Sequence, residues 1–266
     1  MKAQRFKARH PSWFALVSFA VRARLLQARR ALLDAIFRLP RLAEGAAADF
    51  PFVLAESKTP LYTGYDPREQ PLFVGKIENL RLACRQIHYR VLAPGQTFSF
   101  WRQVGPPWRS RGFSIGREVR DGCVIPTIGG GLCQLSGSLF ELASGLNFDL
   151  IERHYHTALP ADVPYDARRD ATLFWNYVDL RFRGAIAVLF ECYISEDSLI
   201  VRLRGKTPRF HRSNLVEIAG NQVRVPARAL IGSCFTCGEA GCARHRDSIG
   251  DACGSVENAF RGLRRF

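Results

Sequence analysis

No stretch of this 266-residue chain is apolar for the roughly 20 residues that a membrane-spanning helix requires. The longest uncharged apolar run, Trp13 to Val21, falls far short, so no transmembrane helix is expected. A basic start followed by that run imitates a signal peptide. Arg22 and Arg24, however, stand where a cleavage region is small and uncharged, which disfavours secretion. The eight cysteines lack the regular spacing of a secreted disulfide framework, and this suits a reducing cytosol. No Lys-Ser or Lys-Thr pair follows the Gly129 to Gly131 triplet, which argues against a phosphate-binding P-loop. The chain also contains neither an internal repeat nor a low-complexity segment.

Acidic side chains are scarce at both ends. Residues 1–42 hold 10 Lys and Arg against 1 acid, residues 43–200 hold 16 against 18, and residues 201–266 hold 12 against 5. The net charge of +14 is therefore concentrated in two terminal segments around a near-neutral middle. With 47% hydrophobic residues and 19 phenylalanines, that middle can build one good core. Three segments follow: a basic amphipathic helical segment at 1–48, a globular domain at 49–205 and a cysteine-rich tail at 206–266. In the first, Leu25, Leu26, Leu32, Leu33, Ile36, Phe37 and Leu39 fall largely on one side of a helix whose other side carries Arg22, Arg29, Arg30 and Arg38. Such a helix suits an anionic membrane surface, and equally suits packing on its own domain with solvated arginines.

The middle segment is expected to be α+β, a mostly antiparallel sheet with packed helices. Ile77, Leu80, Cys84, Ile87 and Val91 recur at helical spacing, and Pro94-Gly95 ends the pattern before a strand at Thr97 to Trp101. Gly112 to Ile125 predicts a hairpin and Leu135 to Leu146 a second helix. Strands are expected at Leu150 to His154, Thr172 to Phe182, Ala185 to Ile194 and Leu199 to Leu203. Cys84, Cys123 and Cys192 sit within apolar patterns and are expected in the core.

Pro126 to Ser138 reads PTIGGGLCQLSGS and places Cys133 at the glycine-rich entry to the second helix. There the unpaired amides and the positive end of the helix dipole favour a thiolate and can steady an oxyanion. Gly129, Gly130 and Gly131 let a substrate backbone approach closely. A cysteine nucleophile needs a base, and Glu152-Arg153-His154-Tyr155-His156 offers two histidines that share a face if the segment is a strand. Asp170 is placed to orient either imidazole. The residues alone leave Cys133 open between a nucleophile and a buried structural thiol.

Arg90 to Phe100 (RVLAPGQTFSF), Gly129 to Ser136 (GGGLCQLS), Glu152 to His156 (ERHYH), Asp170 to Thr172 (DAT) and Asp179 to Phe182 (DLRF) together resemble the VanW family across roughly residues 70–205. The family is named after an accessory protein of glycopeptide-resistance clusters, and some larger cell-surface members resemble peptidoglycan L,D-transpeptidases. That resemblance implies Cys133 as nucleophile, His156 before His154 as base, and Asp170 as the third member. It further implies that Gly129, Gly130, Gly131, Gln134 and Ser136 hold substrate, and that the partner is a peptidoglycan peptide or its precursor.

The tail carries Cys234, Cys237 and Cys242, followed by His245 and Cys253. Four of these side chains can hold zinc, with an iron–sulfur cluster as the rival, and His245 is the alternative to Cys253 as last ligand. The opening resembles a zinc knuckle, but the last ligand is misplaced, so nucleic acid is disfavoured as a partner. Two functions remain open. One is a cysteine-dependent acyl transferase on cell-wall peptides. The other is a non-catalytic, zinc-stabilised module binding a membrane surface, nucleic acid or a protein. The expected location is the cytoplasm, with membrane association through the N-terminal helix.

Overall fold

The computed structural model describes residues 13–37, 39–62, 69–120, 123–156 and 167–208. The expected metal ligands Cys234, Cys237, Cys242, His245 and Cys253 therefore lie outside the described residues.

The architecture is α+β, with four α-helices and antiparallel sheets among the described residues. Helix α1 (Trp13–Ile36) precedes strands β1 (Ala43–Glu44) and β2 (Phe52–Pro60). Helix α2 (Gln70–Ile87) is followed by β3 (Arg90–Leu92), β4 (Thr97–Ser99) and the short α3 (Phe100–Val104). The hairpin β5 (Ile115–Arg120) and β6 (Cys123–Ile128) leads into α4 (Leu132–Gly145). Then come β7 (Asp149–Glu152), β8 (Arg181–Arg183), β9 (Val188–Ser195) and β10 (Ser198–Gly205). Strands β1, β3, β9, β10 and β2 form a five-stranded sheet in that order, while β4, β8 and β7 form a second sheet.

Helices α2 and α4 lie against the larger sheet and bury Leu80, Ala83, Cys84 and Ile87 of one and Leu135, Leu139 and Leu142 of the other. Phe98 and Phe182, opposite each other across β4 and β8, stack with centroids 4.7 Å apart, and Phe190 closes on both. Each such ring contributes about 1.5–3 kcal/mol by leaving water. Cys84, Cys123 and Cys192 are buried, and burial pushes the Cys84 thiol up to about 12, which leaves it chemically inert.

Several boundaries differ from expectation for local reasons. Helix α2 stops at Ile87 because Tyr89 adopts φ 57, and Val91 then joins β3 opposite Leu189. The strand expected through Trp101 ends at Ser99, whose hydroxyl accepts the Arg102 amide and opens α3. The hairpin lies slightly later than expected, pairing Ile115 with Ile128. The run from Thr172 to Phe182 becomes a strand only at Arg181, since Asn176 at φ 55 turns the chain between the bridged Phe174 and Val178. Strand β7 ends at Glu152, so His154 and His156 do not lie on a strand and the alternation expected of them does not apply.

Helix α1 is tied down by one side of its C-terminal half. Arg30 pairs with Glu152 at 2.6 Å, Asp34 with Arg181 at 2.8 Å, and Gln27 donates to the Trp175 carbonyl. No helix among the described residues is long and apolar enough to cross a membrane.

Candidate functional site

Helix α4 starts immediately after Gly131, whose φ of 101 is a left-handed conformation that L side chains rarely adopt. A Cβ on Gly130 would lie 2.3 Å from the Gly116 carbonyl oxygen, so only glycine lets this loop press against β5. The glycines thereby fix where α4 begins and put Cys133 in its first turn, half-buried, among amides that lack helical partners.

The opposite wall comes from the chain after β7. Thr172 donates its amide to the His154 carbonyl, and the Arg153 guanidinium donates to the Asp170 carbonyl at 2.7 Å. Arg153 is itself held against the rings of Phe140 and Tyr155. These contacts bring Asp170 beneath His156. The carboxylate sits 2.6 Å from His156 Nδ1 and accepts the His156 backbone amide through both oxygens. Cys133 lines the same cleft as His156 and also acts on the imidazole, favouring its charged form. Burial opposes charge on this ring, but the hydrogen bonds and negative charges of Asp170 and Cys133 outweigh it and hold the imidazole up at about 10. With Nδ1 committed to Asp170, Nε2 is left for the thiol.

Cys133, His156 and Asp170 thus meet in a cleft of about 570 Å³, walled in part by Gly129, Gly130 and Gly131. Trp101 and Trp175 stand edge to face at 5.2 Å on another wall. The Thr172 hydroxyl lies 3.9 Å from the Cys133 sulfur, a contact foreshadowed only by its place in the Asp-Ala-Thr motif.

Three expected residues have other roles. His154 is half-exposed, 3.3 Å from Glu152, and does not line the cleft. Ser136 is fully buried and donates to the Ala171 carbonyl, which steadies the segment behind Asp170 and keeps the hydroxyl away from any ligand. Gln134 lines the cleft, but its amide donates to the Thr59 hydroxyl at 2.8 Å and the Pro60 carbonyl at 3.0 Å, fastening α4 to β2. Lys76 and Arg117, which sequence reasoning passed over, also line the cleft. No cluster of three or more metal-ligating side chains occurs among the described residues.

Gly137 was likewise not singled out. A Cβ there would stand 2.1 Å from the Arg169 carbonyl oxygen, against backbone that cannot give. Gly137→Ala should push the 169–170 segment off α4, cost about 1–3 kcal/mol in stability and lower the His156 titration midpoint from about 10. Chemical denaturation and imidazole NMR would measure the two effects.

Residues 75–204 match the family model described as VanW like protein. Over 153 residues, 55% of the chain, it is 29% identical to the vancomycin B-type resistance protein VanW of Enterococcus faecalis, covering 54% of that protein. Over 107 residues, 40% of the chain, it is 34% identical to the uncharacterized protein YoaR of Bacillus subtilis, covering 34% of it. The chain thus spans about half, or less, of the curated relatives it matches. No solved structure gives a significant match. Strand β2 lies before residue 75, yet it forms an edge of the five-stranded sheet and supplies Thr59 and Pro60 to the cleft.

Proposed function

Since this chain is a VanW-family protein through residues 75–204, we propose that it is a cysteine-dependent acyl transferase acting on peptidoglycan peptides or their precursors and contributing to glycopeptide resistance. The observation that carries the reading is the convergence of Cys133, His156 and Asp170 on one open cleft, with His156 Nδ1 held by the Asp170 carboxylate at 2.6 Å. The VanW protein of Enterococcus faecalis, named for vancomycin resistance, supports the biological setting.

In this chemistry the Cys133 thiolate attacks a peptide carbonyl and the carbonyl π electrons move onto oxygen, where the first amides of α4 steady the charge. Collapse of that intermediate breaks the C–N bond, and the protonated His156 gives its Nε2 proton to the departing amine. A thioester remains on Cys133. An incoming amine or water attacks it, returns a proton to His156 and regenerates the thiolate. An imidazole held at about 10 is charged at neutral pH and ready for the first proton transfer. Asp170 keeps the ring in place and balances its charge.

Incubation of the purified protein with a peptidoglycan stem tetrapeptide tests the reading. Release of the C-terminal residue, or its exchange for an added amine, is expected. Absence of both, with protein shown to be folded, contradicts it.

Membrane association belongs to the same reading. Trp13, Phe14, Phe19, Leu25, Leu32 and Ile36 of α1 are exposed, on a segment rich in arginine. Trp13→Ala/Phe14→Ala should weaken sedimentation with phosphatidylglycerol vesicles about tenfold or more, because two buried aromatic rings are lost. Equal sedimentation of both proteins would remove the membrane role. Zinc at Cys234, Cys237, Cys242 and Cys253, with His245 or an iron–sulfur cluster as the alternatives, remains a proposal that elemental analysis of the purified protein decides.

A further inference from the structure

The cleft contains a second group of charged side chains that the acyl transfer does not use. Lys76 of α2 and Arg117 of β5 flank the Phe73 ring, with Lys76 Nζ 5.5 Å and Arg117 Cζ 5.6 Å from its centroid. Both line the cleft, and both are more than nine-tenths buried, at 7% and 8% exposure. Arg117 Nε is bound to the fully buried Glu69 at 2.6 Å, and Lys76 Nζ donates to the Leu61 carbonyl at 2.7 Å. Arg117 Nη2 is buried with no hydrogen-bond partner among the described residues. A guanidinium nitrogen left in that state costs free energy until an acceptor reaches it. Glu69 pairs with Arg117, and Lys76 makes no ion pair among the described residues.

We propose that Lys76 and Arg117 form a carboxylate-binding subsite that holds the free C-terminal carboxylate of the acyl-donor peptide. This rests on the acyl-transfer reading above. A single negative charge suits two cations that already have Glu69 and Glu118 beside them, and a planar carboxylate suits the guanidinium fork. A phosphate dianion would place excess negative charge beside Glu69 and Glu118. The position is also right. A Cβ on Gly131 would lie 2.4 Å from Lys76 Cγ, so the lysine stem runs directly under the loop that enters α4. Gly131 and Cys133 are two residues apart, at most about 7 Å of chain. Lys76 and Arg117 thus share the cleft of Cys133 beside its entry loop, which suits a carboxylate close to the carbonyl that Cys133 attacks and makes the enzyme specific for removing a terminal residue.

Burial and then the Arg117 charge bring Lys76 down to about 7. The groups facing it are Arg117 and Glu118 of β5, Glu69 ahead of α2, and Cys133, His156 and Asp170 across the cleft. Of these, His156 stays protonated to about 10. A bound carboxylate favours charged Lys76, so affinity is highest below about 7 and falls as pH rises above it.

The test uses the full chain carrying Cys133→Ala, which cannot turn over, titrated calorimetrically with the stem tetrapeptide and with its C-terminal amide. The acid is expected to bind about tenfold or more tighter than the amide at pH 6, with less advantage at pH 8. Lys76→Met should remove most of that advantage and its pH dependence while the circular dichroism spectrum and melting cooperativity are kept. Arg117→Lys, which retains the charge opposite Glu69, should reduce the advantage in part. Equal binding of acid and amide, no binding of either, or full discrimination by a folded Lys76→Met protein overturns the subsite. Failure of the acyl-transfer reading is a separate result, since it appears as missing turnover in the unsubstituted protein.

Discussion

Under the proposed acyl transfer, substituting Cys133 with serine is expected to lower release of the terminal residue from a stem tetrapeptide by on the order of 10⁴-fold or more, with melting behaviour unchanged. The substitution is nearly isosteric, and the half-buried thiol lies 3.9 Å from the Thr172 hydroxyl in the cleft it shares with His156. The fold therefore has little reason to respond. A serine hydroxyl is a far weaker nucleophile than a cysteine thiolate, so the substitution would remove the proposed nucleophile while keeping its shape. His156→Gln should cost a similar factor, and the double substitution no more than either alone, because the two residues act as a unit. The imidazole also leaves a pH signature in stability. Its folded-state value of about 10 lies above its ordinary 6.5, so the stability it contributes is complete below about 6.5 and is lost as pH rises towards 10. Lys76 has the opposite sign. It is lowered from 10.5 to about 7, so its burial costs most below 7 and less as pH rises. The His156 contribution is thus read from the difference between the unsubstituted protein and His156→Gln, since the total curve mixes both groups.

Asp179→Ala has the largest expected effect on stability, about 3–5 kcal/mol, because it strands buried partners of a carboxylate. Asp179 is 1% exposed and accepts from the Ser99 hydroxyl at 2.6 Å, the Trp101 amide at 3.1 Å, the Leu180 amide at 2.9 Å and Arg181 Nε at 2.8 Å. It therefore joins the start of α3 to the start of β8, two segments about 80 residues apart in sequence. Removing it leaves two amides and a guanidinium donor short of an acceptor. A fall on the order of 10 °C in melting midpoint follows for a domain of this size. Asp179→Asn, which keeps one acceptor oxygen, should lose less. Differential scanning calorimetry of the two variants separates loss of the acceptor from loss of the charge.

The core was largely legible in the sequence. Period-3.6 patterns in α2 and α4 and the apolar runs of β9 and β10 report burial directly, and burial is what those patterns encode. Boundaries were less legible where a single side chain or dihedral decides. Tyr89 takes a left-handed φ that its residue type does not announce, Asn176 takes one that asparagine favours but that an apolar strand-like run concealed, and Ser99 ends a strand by capping a helix. In the site, Cys133, His156 and Asp170 stood out because nucleophile, base and carboxylate are distinctive residue types in a recognisable order. His154 stood out as the second candidate base, and the end of β7 at Glu152 leaves it off the cleft. Ser136 and Gln134 carry the motif's polarity, yet they spend it on Ala171 and β2. Lys76, Arg117 and Gly137 were illegible because their significance lies in contacts between distant segments. A lysine in a helix and an arginine in a hairpin look solvated until α2 and β5 are brought together.

The most direct measurement is intact-protein and peptide mass spectrometry after mixing the purified protein with stem tetrapeptide and quenching in acid, which preserves thioesters. The account predicts an acyl adduct equal to the peptide minus its terminal residue and one water, mapped to Cys133, and absent in Cys133→Ser. An unmodified Cys133, or an adduct that maps to another cysteine and persists in Cys133→Ser, contradicts it and leaves the non-catalytic binding module as the function of this chain.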